Sequence, residues 1–174
     1  MLIGLISDTH VNDRKDKIPE SVFKAFKGVD LIIHAGDLTS EKVIDKLRNI
    51  APVTAVQGNM DRAYNIDLPK TKIITVDDLK IGIIHGEVYP RGDDQQLYYL
   101  ALELEVDILI TGHTHQSFIR KIKNILLLNP GSPTVPILAD PTVMLVDITN
   151  GKINVEVIKV GKPVCKALNL NEKK

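Results

Sequence analysis

"LIGLISDTH", residues 2–10, is an apolar run that stops abruptly on Asp8 and His10. A short continuous apolar run bounded by polar residues reads as a buried strand. The same design returns in "DLIIHAGDL" (30–38), which ends on Asp37, and in "PVTAVQGNMD" (52–61), which ends on Asn59 and Asp61. Two helical stretches lie between these runs. "PESVFKAFKG" (19–28) places Pro19 in a first turn, Val22, Phe23 and Phe26 on one stripe, and Gly28 at the stop. Residues 41–49 turn Val43, Ile44 and Leu47 inward, with Ser40 as the cap. The order β-α-β-α-β predicts parallel strands joined by right-handed crossovers.

Beyond residue 70 the pattern changes. "TKIITV" (71–76) and "KIGIIH" (80–85) flank Asp77-Asp78-Leu79 and predict a β-hairpin. "DDQQLYYLALELE" (93–105) reads as a helix whose acidic start suits the helix dipole. "DILIT" (107–111) is a further strand, and residues 117–129 are two strands around a turn near Lys123-Asn124. Residues 141–160 form a hairpin on Asn150-Gly151, and 161–174 read as a peripheral extension. Tyr89, Tyr98 and Tyr99 are expected in the core or at an interface. The expected fold is α/β, in part α+β: a two-sheet sandwich flanked by helices, a single domain over residues 1–174.

Composition narrows the function. At 174 residues, 44% hydrophobic and 25% charged, the chain has the make-up of a globular domain with a real core. Twenty-two basic residues balance 22 acidic ones, so no overall field draws it to nucleic acid or to an anionic membrane. No apolar stretch approaches the roughly 20 residues of a membrane span. Cys165, the one cysteine, makes no internal disulfide, and Met1–Ile6 lacks the length and charge of a signal peptide. These features predict a cytoplasmic protein.

The polar residues that follow the strands carry the chemistry. They are Asp8 and His10, Asp37, Asn59 and Asp61, His85 in "IHGE", and His113 and His115 in "TGHTH". Ligand chemistry in α/β folds collects at the carboxyl ends of strands. A pair of divalent cations needs a carboxylate between them, for which Asp37 is the natural choice, and neutral imidazoles elsewhere. Mixed nitrogen and oxygen donors suit manganese, and also nickel, cobalt, iron or zinc, better than calcium. His34, inside an apolar strand, reads as a structural histidine, and Asp61 as a support that orients a histidine. Arg62 and Arg91 have the chemistry to pair with a substrate phosphate. "RGD" at 91–93 is not read as an adhesion motif.

The series "SDTH", "GDL", "GNMD", "HG" and "GHTH", in this order, resembles the calcineurin-like metallophosphoesterase superfamily. With "NPGS" at 129–132 and its short length, the chain is most similar to the small bacterial and archaeal phosphodiesterases of that group. The resemblance implies one metal at Asp8, His10 and His115, a second at Asn59, His85 and His113, and Asp37 between them. Among these, Asp37, Asn59 and His85 would serve catalysis directly. It implies hydrolysis of a small phosphoester, foremost a diester, by a hydroxide held between the two ions. No stable nucleic-acid partner and no membrane are expected, and apolar side chains on the hairpins offer a face on which a second copy could pair as a homo-oligomer.

Two positions depart from the family pattern. Many members carry a histidine in the third motif that is thought to protonate the leaving group; here Met60 stands there, and a thioether is no acid. Some small relatives have a second histidine where this chain has Glu87, which reads either as a substitute acid and substrate contact or as a loop residue. A rival reading is a protein-interaction scaffold, since a retromer subunit resembles the same fold. Retention of all seven candidate donors favours the enzyme.

Overall fold

A computed structural model describes residues 1–15 and 17–162. The extension expected at 161–174 therefore lies outside the described residues from 163 onward. Ten strands form two five-stranded sheets. The first takes β1 (Leu2–Ile6), β2 (Leu31–His34), β3 (Val53–Ala55), β9 (Thr142–Thr149) and β10 (Lys152–Lys159) in the order β10-β9-β1-β2-β3. The second takes β4 (Thr71–Val76), β5 (Leu79–Ile84), β6 (Ile108–Ile110), β7 (Ser117–Ile122) and β8 (Ile125–Pro130) in the order β4-β5-β6-β8-β7. Each sheet has a parallel part, β1-β2-β3 and β5-β6-β8; the hairpin β9-β10 flanks it on one side in the first sheet, and the hairpins β4-β5 and β7-β8 bring antiparallel edge strands to both sides of the second.

Side-chain alternation sorts the apolar residues into three layers. Ile3, Leu5 and Ile33 of the first sheet meet Ile81, Ile83, Ile108 and Leu128 of the second, which makes the central core. Ile6 and Ile32 face the other way, onto α1 (Glu20–Ala25), Phe26 beyond its end, and α2 (Lys42–Arg48). Leu109 and Leu127 leave the second sheet toward Leu97, Tyr98 and Ala101 of α4 (Asp94–Glu103). Gly4 is needed where it stands, because a Cβ there would lie 2.8 Å from the Phe26 ring. That fully buried ring contributes on the order of 2–3 kcal/mol. The two-sheet sandwich flanked by helices is thus present.

Several local expectations are corrected. The first helix spans six residues, and Pro19 is its cap in extended conformation. Ser40 does not cap α2, which begins from Glu41 in helical conformation; its hydroxyl accepts instead from the Asn12 amide at 3.2 Å. Asp93 does cap α4, accepting from the Gln96 N–H at 2.8 Å, so the "RGD" stretch serves as a loop running into a helix. Tyr98 is buried, but Tyr89 and Tyr99 are 88% and 59% exposed and belong to no core. A short helix not anticipated, α3 (Asn59–Ala63), follows β3. Two of the three tight hairpins turn on left-handed pairs, Asp77-Asp78 and Asn150-Gly151, whose twist matches that of the strands, and the third, between β7 and β8, has Lys123 alone in that conformation. Among the described residues no helix is long and apolar enough to cross a membrane.

Candidate metal centre

The parallel strands deliver their carboxyl ends to one edge of the sandwich, and the loops that leave them are zipped together. Asp8, His10 and Val11 N–H groups donate to the carbonyls of Gly36, Asp37 and Leu38 at 3.0–3.1 Å. Gly112 N–H donates to the His85 carbonyl at 3.0 Å, joining the two loops of the second sheet. The His113 N–H donates to Asp8 Oδ2 at 3.0 Å and ties the sheets to each other. Asp8, His10, Asp37, His113 and His115 all have positive φ. Such left-handed backbone is uncommon outside glycine and persists where surroundings over-determine it, as at functional sites.

The seven predicted donors meet there. His115 Nε2 lies 3.4 Å from Asp8 Oδ1, and Asp37 Oδ2 lies 3.3 Å from His85 Nε2 and 3.6 Å from His10 Nε2. Asn59 Oδ1 and His113 Nδ1 are 3.2 Å apart. Two buried triads have ligand-like spacing, Asp8-His10-His115 and Asp8-Asp37-His85, and they share Asp8. Asp37 is fixed by its other oxygen, which accepts from the Met60 N–H at 2.7 Å.

Three imidazoles are held by Nδ1 and aim Nε2 inward. His10 Nδ1 faces Asp13 Oδ2 at 3.2 Å, His85 Nδ1 the Ala35 carbonyl at 2.8 Å, and His115 Nδ1 the Val135 carbonyl at 2.6 Å. The Nε2 atoms of His10 and His85 are buried with no hydrogen-bond partner among the described residues. Buried polar atoms are rarely left so, and a fixed Nδ1 with a free Nε2 is the usual arrangement of a metal-binding histidine. The residues therefore fit divalent cations.

Electrostatics prepare three of the four histidines as neutral donors, while His85 and Asp37 form a charged pair as long as no cation displaces the proton. Burial holds His10 and His115 below the ordinary imidazole range, and burial with the charges of His85 and Arg91 takes His113 to about 4. All three are neutral donors near pH 7. Burial pushes the Asp8 carboxyl up to about 6 against the pull of His85. Burial also opposes the charged forms of Asp37 and His85, but each favours its partner's charge, leaving Asp37 near 2 and His85 near 9.

Supports that the sequence reading missed surround this cluster. Asp13 orients His10 and accepts from the Tyr64 hydroxyl at 3.0 Å. Asn129 donates to the Gly112 carbonyl at 2.7 Å, locking the "GHTH" loop onto "NPGS". Ser132 and Thr134 hydroxyls donate to the Asp8 and Thr9 carbonyls, each at 2.7 Å. A polar Asn129 inside an apolar strand run was the one signal available. Asp61 does support the site, yet not through a histidine: fully buried, it accepts from the N–H groups of Asp37, Thr39 and Gly58 at 2.8, 2.8 and 2.9 Å. His34 lies behind the loops, its Nε2 3.1 Å from Thr9 Oγ1, while its buried Nδ1 finds no partner among the described residues.

The three substrate-contact candidates separate. Arg62 forks the Glu87 carboxylate at 2.9 and 2.7 Å on the surface. Glu87 is thereby held below the usual carboxylate range, ionised near neutral pH, so it has no proton to give a leaving group. Arg91 stands apart from that pair and lines a cavity with Thr114.

The family model of the calcineurin-like phosphoesterase superfamily domain matches residues 1–151. The chain belongs to this superfamily. Its members include the "probable metallophosphoesterase" of Methanothermobacter thermautotrophicus, to which the chain is 57% identical over 169 residues, 97% of this chain and 98% of that one. Among solved structures it is similar to the zinc complex of Vps29 from Entamoeba histolytica, with 30% identity, TM-score 0.74, and coverage of 92% of this chain and 100% of the other. It is also similar to an archaeal phosphodiesterase, with 27% identity, TM-score 0.68, and coverage of 91% and 100%. Membership of the superfamily supports a phosphoester hydrolase with metal-binding residues at this edge.

Proposed function

We propose that this superfamily member is a two-metal phosphodiesterase acting on a small phosphoester. Asp8, His10 and His115 would hold one ion, Asn59, His85 and His113 the other, and Asp37 would lie between them. The observation that carries the reading is Asp37 Oδ2, which stands within 3.6 Å of inward-facing Nε2 atoms from both sets. Mixed imidazole, carboxylate and amide donors favour manganese, with nickel, cobalt, iron and zinc as the other candidates. When bound, such ions supply Lewis-acid charge to the phosphoryl oxygens and lower the pKa of water toward neutrality.

The chain's own residues set the geometry and the selectivity. The Met60 N–H commits one oxygen of Asp37 and leaves the other, beside the His10 and His85 Nε2 atoms, free to hold the ions when they are bound. Asn59, at the start of α3, supplies a neutral oxygen and avoids a third carboxylate. Arg91 offers a fork to a phosphate oxygen. Neither Met60 nor the ionised Glu87 protonates a leaving oxygen, so esters with good leaving groups react best. The archaeal phosphodiesterase among the similar structures supports a diester.

The test is hydrolysis of bis(p-nitrophenyl) phosphate and of p-nitrophenyl phosphate by metal-stripped protein, with single metals restored. Diester cleavage that returns with manganese, and that falls at least about 100-fold in Asp37→Ala, is expected. Folded protein that cleaves neither ester with any metal would sink the enzyme reading. The weight would then move to a scaffold, the reading that the Vps29 likeness keeps open.

A further inference from the structure

A cavity of 280 Å³ adjoins the metal centre, lined among others by Arg91, Thr114, Gln116, Phe118, Arg120 and Ile137. Thr114, which lines it, sits between His113 and His115 in the chain, and the Arg91 charge reaches both histidines, so the cavity lies next to the cluster. The Arg91 loop packs directly on Thr114: a Cβ at Gly92, which has φ +72°, would come within 2.8 Å of Thr114 Cγ2.

The arginines here are not equivalent. Arg14, Arg62 and Arg120 each pair with a carboxylate, of Asp13, Glu87 and Asp94. Arg91 has no such partner among the described residues, and its charge bears on both His113 and His115. Exposed and uncommitted, the Arg91 guanidinium is available to fork a phosphate oxygen of an ester held at the neighbouring centre.

Another part of the lining is planar. Arg120, tied to Asp94, lies over the Phe118 ring with its guanidinium carbon 4.4 Å from the centroid. Planar guanidinium and aromatic surfaces are what nucleobases stack on. Gln116 spends its amide N–H on the Ile137 carbonyl at 2.9 Å, and its side-chain oxygen has no partner among the described residues. The volume lies just below the usual range of ligand pockets, roughly 300–1,000 Å³, which leaves room for one nucleoside at most.

We propose that this cavity holds the ester substituent that stays on phosphorus, and that the substituent is a nucleoside. The assignment rests on the diesterase reading above. The departing oxygen finds no side-chain acid at Met60 or Glu87 and must take its proton from solvent, so it occupies the open side. The walled side holds the group that remains.

Thymidine 5′-(p-nitrophenyl) phosphate and methyl p-nitrophenyl phosphate release the same chromophore and differ only in the retained group. Wild-type protein with manganese is expected to favour the nucleoside ester in kcat/KM by at least about tenfold, mostly through KM. Ile137→Trp fills the cavity from an exposed loop and should bring the ratio near one. Calorimetric binding of thymidine 5′-monophosphate should weaken in the same variant. A wild-type ratio near one, a ratio unchanged by Ile137→Trp, or equal nucleotide affinities in the two proteins overturns the assignment while leaving the diesterase standing. Failure of the wild type to cleave either ester with any metal overturns the diesterase reading, and this assignment with it.

Discussion

Asp13 shows how much of the site's behaviour hangs on residues that touch no substrate. Its carboxylate holds the Nδ1 side of His10, and so decides where Nε2 points. Outer partners of this kind typically carry 10–100-fold in metal affinity. Asp13→Ala should therefore weaken manganese binding by about that factor in a calorimetric titration, with the fold intact by circular dichroism. Unchanged affinity would show that the imidazole is held by packing alone. His34 makes a different prediction. Burial and the nearby His85 charge take its imidazole to about 3, against 6.5 in the unfolded chain. The unfolded state then binds more protons between these values, so stability is complete above 6.5 and is lost as pH falls through that window. The slope from this residue reaches about 1.4 kcal/mol per pH unit. Urea unfolding at pH 7 and pH 5 should show wild type losing more stability than His34→Gln, and equal losses would refute the buried neutral imidazole.

At the level of elements, the site depends on loops that approach one another without side chains between them. A Cβ at Gly58 would collide with Asp37 Oδ1 and its backbone nitrogen. Gly58→Ala must displace Asp37 or the start of α3, with a loss of more than about 2 kcal/mol expected from the strain. Thermal unfolding and diester turnover measured together check this, and retention of both would mean the loop has slack. The same elements explain what was readable beforehand. The donors were legible because each follows an apolar run, and strand ends are where such runs must stop. The supports were not: Asp13 lies in a polar loop among other carboxylates, and Thr134 lies more than 100 residues from the carbonyl it binds. Helix α3 has five residues, too few to show a period. Ser40 misled because its hydroxyl had a competing partner in Asn12, and the core half of the Tyr89 expectation failed because an aromatic residue in a loop carries no pattern that fixes its side.

For the whole molecule, the two sheets meet over an apolar core and are joined again at its edge by polar groups from both. Divalent ions bound there would favour the native state alone. At a metal concentration of about 100 Kd the gain is roughly 2.7 kcal/mol. Manganese should raise the Tm of stripped protein, chelator should reverse the rise, and Asp37→Ala should show little of either. A Tm indifferent to every divalent metal would argue that the cluster does not bind them in the folded protein.

Neither sheet owns the centre. The triad Asp8-His10-His115 and the triad Asp8-Asp37-His85 each mix residues of the first sheet with a histidine of the second. Their chain separation runs to 107 residues, and contacts that distant are closed late in folding. A chain emerging from synthesis, or one with a single sheet formed, holds no complete triad and has little to offer a passing ion. On the proposed two-metal reading, metal uptake would thus wait until the two halves have docked, and unfinished copies would compete little for a scarce ion.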